Sequence, residues 1–143
     1  MIESATELKN KGNAYFKEKK YVEAIAAYTG ALRELNPEKF SGASQAECQK
    51  MAELSGNLLY NMGVCHFNSY DMVKAEVFLS EAIVINPKYI KALHKRALAR
   101  YELKKYEQAF QDIKVAFSLD KSNDEIHRSY SKILEKYNEN VKE

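Results

Sequence analysis

The sequence predicts an all-α protein: an α-solenoid of three helix–turn–helix repeats, with a further helix capping its C-terminal end. Three observations predict it. Glycine and proline are scarce, five and two in 143 residues, which argues for long helices and against a turn-rich β fold. Small residues recur at a fixed interval: Gly63 and Ala97 are 34 residues apart, and Gly12 precedes Gly63 by 51, the same interval plus 17. Each is followed twelve residues later by an alanine (Ala24, Ala75, Ala109) and seven after that by another (Ala31, Ala82, Ala116), with a large apolar residue between them (Tyr28, Leu79, Ile113). Such a period marks stacked helical units, none of which can bury its apolar face alone.

The elements follow in order within a single domain, 1–143. Repeat one spans about 5–37. In "LKNKGNAYF", Leu8, Gly12 and Tyr15 fall at i, i+4 and i+7, one packing face of a helix. Small residues let two antiparallel helices approach closely, and large ones fill the space around that contact. The hairpin turns are expected at "KEKKY", "NSYDM" and "ELKKY". The basic run Lys17–Lys20 reads as a solvated helix end, where cations suit the dipole. An insertion follows at about 38–55; Pro37, Gly42 and Ser44 suggest a loop. The stretch "ASQAECQKMAEL" then has helical composition, so the helix opening repeat two, about 56–89, starts early. Asn86-Pro87 ends that repeat, since proline disfavours helix in the residue before it. Repeat three covers about 90–122. Ser122 with Glu125 reads as a capping box. Ile126, Tyr130, Ile133, Leu134 and Tyr137 then form the stripe of a capping helix over about 123–140.

A 34-residue unit with these residues at these offsets resembles the tetratricopeptide repeat (TPR). The family's usual tryptophan is replaced by Leu8, Leu59 and Leu93, and repeat three has Lys121 in place of the closing proline. In a stack of helical hairpins the first helix of each pair lines the concave side. Lys9 and Asn13 stand beside the packing seam of the first such helix, Asn61 two residues before Gly63, and Lys91 and Lys95 six and two residues before Ala97. All five are expected to face one groove. Ammonium and carboxamide donors on rigid helices suit carboxylates, and a chain ending in Asp offers two close together. The constellation resembles the dicarboxylate clamp of TPR co-chaperones, which grips the C-terminal Glu-Glu-Val-Asp of seventy- and ninety-kilodalton heat-shock chaperones. Lys9, Asn13, Asn61 and Lys91 match that pattern by identity. Lys95 stands where the family usually has Arg, so charge is kept and a planar fork is lost. Arg96, one position on, should point to the packing side. Phe16, Val64, Phe67, Leu98 and Tyr101 lie further along the same helices and form the expected apolar lining, with His94 at its edge.

The remaining signals point away from catalysis. His66, His94 and His127 show no metal-ligand spacing. Cys65 and His66 are adjacent and diverge by about 100° on a helix, so they form no nucleophile pair. There is no phosphate-binding glycine loop, and no cofactor is implied. A net charge of +2 without a like-charge block argues against nucleic acid. No apolar run approaches the roughly 18 residues of a membrane span, and two cysteines without pattern suit a reducing cytoplasm. The expected role is therefore a non-enzymatic adaptor for a chaperone tail. Two alternatives stand beside it: the TPR part of an immunophilin-like peptidyl-prolyl isomerase or phosphatase, and a scaffold holding a folded partner through the insertion or the convex surface.

Overall fold

The computed structural model describes residues 2–36, 38 and 42–141. They form seven helices: α1 (Ile2–Lys17), α2 (Tyr21–Glu34), α3 (Gln45–Asn68), α4 (Met72–Ile85), α5 (Ile90–Glu102), α6 (Tyr106–Leu119) and α7 (Asp124–Val141). Among the described residues there is no strand. Pro37 and part of the expected insertion lie outside the described residues.

Each of α1–α2, α3–α4 and α5–α6 closes as a hairpin through the residues of the repeat. Ala24, Ala31, Ala75, Ala82, Ala109 and Ala116 are all buried, as are Tyr28, Leu79 and Ile113. A Cβ at Gly12 would lie 2.5 Å from Cε1 of Tyr28, and one at Gly63 would lie 2.7 Å from Cγ of Leu79. The small residue is thus the space into which the large one fits, which is why the two recur at one offset.

The turns are equally repetitive. Lys19, Tyr70 and Lys104, at the same place in the three hairpins, have φ of 61°, 62° and 63°. The next residue's N–H reaches back to the carbonyl five residues earlier: Lys20 to Tyr15, Asp71 to His66, Lys105 to Arg100. Together with the bonds from Lys19, Tyr70 and Lys104 to Phe16, Phe67 and Tyr101, this is a Schellman ending, built here without glycine.

Helix α3 is the longest at 24 residues, opened by a capping box in which Glu47 N–H donates to Ser44 Oγ at 3.1 Å. The start of α7 differs from expectation. Its cap is Asn123, whose Oδ1 accepts from Ile126 N at 3.2 Å, not Ser122 paired with Glu125. Asn123 stands three residues before Ile126, the spacing a cap needs, and that leaves Glu125 inside the first turn with its side chain free. From there α7 buries Ile126 and Ile133 and lays Tyr130 and Tyr137 against Phe110 of α6, covering the end of the stack.

Consecutive helices pack throughout. In addition α1 touches α3, α3 touches α5 and α5 touches α7, whereas the even-numbered helices make no comparable contact with one another. The stack therefore curves with the odd-numbered helices on its inner wall.

Candidate functional site

All eleven residues singled out in the sequence lie on that inner set of helices: Lys9, Asn13 and Phe16 on α1, Asn61, Val64 and Phe67 on α3, and Lys91, His94, Lys95, Leu98 and Tyr101 on α5. On α1, Lys9 and Asn13 are half-buried one turn apart. The Tyr28 hydroxyl donates to Asn13 Oδ1 at 2.6 Å. That bond occupies the amide oxygen and leaves the NH₂ as the outward donor. The Tyr28 ring can be there only because residue 12 has no side chain, so Gly12 links hairpin packing to the pose of Asn13. Asn13 and Phe16 border a shallow hollow of about 500 Å³ with Asn10, Ala14 and Lys17.

On α5, Ile90, Lys91, His94, Lys95 and Leu98 line a second hollow of about 340 Å³, bordered on one side by Tyr60 of α3 and on the other by Asn123, which caps α7, and by Glu125 and Ile126 of α7. The Lys95 ammonium lies 4.6 Å from the centre of the Phe67 ring, a cation–π contact that ties α5 to α3. Burial pushes the Lys95 pKa below its ordinary value, while the charge of Glu125 acts the other way. His94 is held below its ordinary value by burial and then by Lys95, and its Nε2 is 2.7 Å from Ser129 Oγ of α7. Tyr101 is engaged elsewhere: its ring meets Tyr106 edge-on and carries Lys132 of α7 at 4.6 Å. Asn61 and Val64 are half-buried on the stretch of α3 between these two hollows.

Arg96 turns away from the hollow, toward α6. It forms a two-point pair with Asp112, Nε to Oδ2 at 2.8 Å and Nη2 to Oδ1 at 2.6 Å, and reaches Ser80 of α4. Arg100 bridges Asp112 and Glu76, and Lys105 also holds Glu76. By contrast, among the described residues Lys9, Lys91 and Lys95 have no carboxylate in ion-pair reach. Ammonium and carboxamide N–H groups of this kind are donors suited to carboxylates.

Two residues of this region do more than their sequence positions announce. Tyr28 is a packing residue by its offset, but its hydroxyl, which Leu79 and Ile113 at the equivalent places lack, is the signal of its bond to Asn13. Glu125 stands at a capping offset in the sequence, and only the fold brings it to the Lys95 hollow.

Cys65 and His66 pack into the second hairpin, whereas Cys48 is exposed. Burial pushes the Cys65 thiol up to about 11, so it is protonated at neutral pH, and neighbouring His66 stacks on Phe78 at 5.2 Å. Among the described residues no group of three or more His, Cys, Asp or Glu side chains could hold a metal, and no helix is long and apolar enough to cross a membrane.

No family model matches the chain. Among curated proteins it is similar to protein unc-45 homolog B of Xenopus tropicalis, 28% identical over 142 residues, which is 99% of this chain and 13% of that protein. The chain thus spans about an eighth of the length of that relative. Among solved structures it superposes on the C-terminal TPR-containing domain of an FK506-binding protein from Plasmodium falciparum, with a TM-score of 0.88, 28% identity and coverage of 99% and 93% of the two chains. It also superposes on the first TPR of Spaghetti (RPAP3) bound to HSP90 peptide SRMEEVD, with a TM-score of 0.77, 29% identity and 94% of each chain covered.

Proposed function

Since the chain is a tetratricopeptide repeat domain, we propose that it captures the acidic C-terminal tail of a heat-shock chaperone, ending Glu-Glu-Val-Asp, in the groove of its odd-numbered helices. One observation supports this above the rest. Among the described residues Lys9, Lys91 and Lys95 have no carboxylate in ion-pair reach, while Arg96 and Arg100 on the other side of α5 are held by Asp112 and Glu76. In this reading Lys9, Asn13 and Asn61 take the terminal carboxylate, and Lys91 and Lys95 take the aspartate side chain. Phe16, Val64, Phe67 and Leu98 offer apolar surface to the valine. The likeness to a TPR bound to SRMEEVD adds weight.

The test is titration of SRMEEVD into the protein by calorimetry, in free-acid and C-terminally amidated forms. We expect about −8 kcal/mol for the acid, a micromolar affinity, weakened by salt. Amidation should cost a factor of ten or more. Equal binding of the two forms would overturn the clamp.

A second reading adds to the first rather than replacing it: the capture module serves a longer protein, as in the FK506-binding protein whose C-terminal TPR-containing domain superposes so closely. Immunoblotting of the native protein for its full length decides this.

A further inference from the structure

We infer that His94 takes up a proton when an acidic tail binds and becomes a further cation of the site, so that capture tightens in mildly acidic solution; this rests on the clamp proposed above. His94 shares its hollow with Lys91 and Lys95, so a carboxylate held by those ammonium groups lies close to the imidazole as well. Three helices supply the polar surroundings of the ring. Helix α5 gives Lys91 and Lys95, α3 gives the Tyr60 phenol, and α7 gives Glu125 and the Ser129 hydroxyl. Burial raises the pKa of Tyr60, which stays uncharged. Among the described residues that line it, the free hollow therefore sets two ammonium groups against one carboxylate. That positive balance favours a neutral ring. Burial first and Lys95 second hold His94 below its ordinary value of 6.5, and Glu125 offsets them only in part.

A bound tail removes that balance. Its aspartate carboxylate, taken by Lys91 and Lys95, cancels the positive charge that opposed protonation, and a negative charge within about 4–6 Å favours imidazolium. Protonation requires no rebuilding of the site. Nε2 of His94 is 2.7 Å from Ser129 Oγ, and a hydroxyl can donate to the bare nitrogen or accept from the protonated one. The ring keeps its place in both states. The sign follows from linkage. The bound protein holds more protons than the free one, so affinity rises as pH falls into the range where only the bound form is protonated. Near pH 4 the carboxylates of the tail themselves take up protons, and affinity falls again.

The experiment is calorimetry of SRMEEVD binding at pH 6.5 in two buffers of different ionisation enthalpy, PIPES and imidazole, for the wild type and His94→Gln. Acetylating the peptide's N-terminus leaves it no amine that titrates near neutrality. The difference in heat counts protons: the wild type should take up about half a proton per peptide, and the variant none. Between pH 7.5 and 6.0 the wild-type affinity should rise about three- to tenfold, while that of His94→Gln stays level. Equal wild-type heats in the two buffers overturn the role of His94 and leave the clamp standing. Uptake that persists in His94→Gln also overturns it, because the proton then goes elsewhere. Should circular dichroism show the variant unfolded, the imidazole Cε1–H resonances of the wild type decide. One of them should titrate at higher pH with peptide than without, and no such shift overturns the proposal. Failure of the wild type to bind the peptide at all overturns the clamp itself, and the proton uptake with it.

Discussion

Helix α5 carries two pairs of cations, each one turn apart, the second pair five residues after the first. Lys91 and Lys95 face the hollow; Arg96 and Arg100 face α4 and α6. Five residues turn the helix through about 140° beyond a full turn, and that rotation separates two physical regimes. The arginines meet Asp112, which is only 5% exposed, and Glu76, so their charges are spent on the fold. The lysines meet an aromatic ring, a neutral histidine and a carboxylate outside pairing distance. The same helix is thus a structural strut on one side and, among the described residues, a cationic surface without ion pairs on the other. A buried charge must be paired, whereas a half-exposed one can wait for a ligand.

The largest effect should come from breaking the paired side. Asp112→Ala leaves two guanidinium groups facing a hole in a largely buried site, so stability should fall by about 3 kcal/mol or more, read as a drop in the urea midpoint. Peptide affinity of the molecules that remain folded should stay within twofold. Acid attacks the same network by titration. Burial pushes the Glu76 carboxyl up, but hydrogen bonds from Lys105 and Arg100 outweigh it and hold the group below its ordinary value of 4.5. A depressed carboxyl contributes stability that is complete above pH 4.5 and lost as pH falls through the lower value. Glu76→Gln should flatten the stability profile below pH 4.5.

Breaking the lysine side should have the opposite signature. Lys91→Glu places a carboxylate where the clamp needs an ammonium. Loss of one charge-assisted bond, about 1.5–3 kcal/mol, together with repulsion should abolish peptide capture at micromolar concentrations. Thermal stability should hardly change, because Lys91 is exposed and unpaired. A partner held on the outer face of α4, where Val73, Val77 and Val84 are exposed, would remain bound, which separates groove capture from scaffolding.

A smaller effect tests the bond between core and groove. Tyr28→Phe keeps the ring beside Gly12 and removes only the hydroxyl that fixes Asn13. Peptide affinity should fall by about 1 kcal/mol, the net worth of one hydrogen bond, measured by the same titration. Gly12→Ala should act more broadly, since it displaces the ring and costs stability as well. This coupling shows what was legible in the sequence and what was not. Gly12, Tyr28 and their counterparts in the other two hairpins announce the fold because packing repeats with the chain. That the lysines and asparagines fall on the odd-numbered helices is legible because each can be counted from a repeat landmark. The tyrosine hydroxyl, the placement of Glu125 and the cap at Asn123 are not, because each depends on how helices distant in sequence meet. Adjacent serine and asparagine, Ser122 and Asn123, are both good caps, and only the packing of Ile126 decides between them.

The smallest effect sharpens the comparison by changing stability alone. Lys104 follows Leu103, the C-cap of α5, and is exposed with φ of 63°, a backbone region that disfavours side chains with a Cβ. Glycine there relieves the strain while keeping both back-bonds of the Schellman ending, against a larger entropy loss on folding. The balance should favour Lys104→Gly by about 0.5 kcal/mol, visible as a small rise in Tm. Neither cation pair is touched: Lys91 and Lys95 keep their hollow, and Arg100 and Lys105 keep Glu76. If the variant is stabilised and binds SRMEEVD as before, capture does not depend on looseness at this end of α5. A stabilised variant that binds more weakly would mean that the lysine face draws on motion of α5, and the two faces of the helix could no longer be treated as independent.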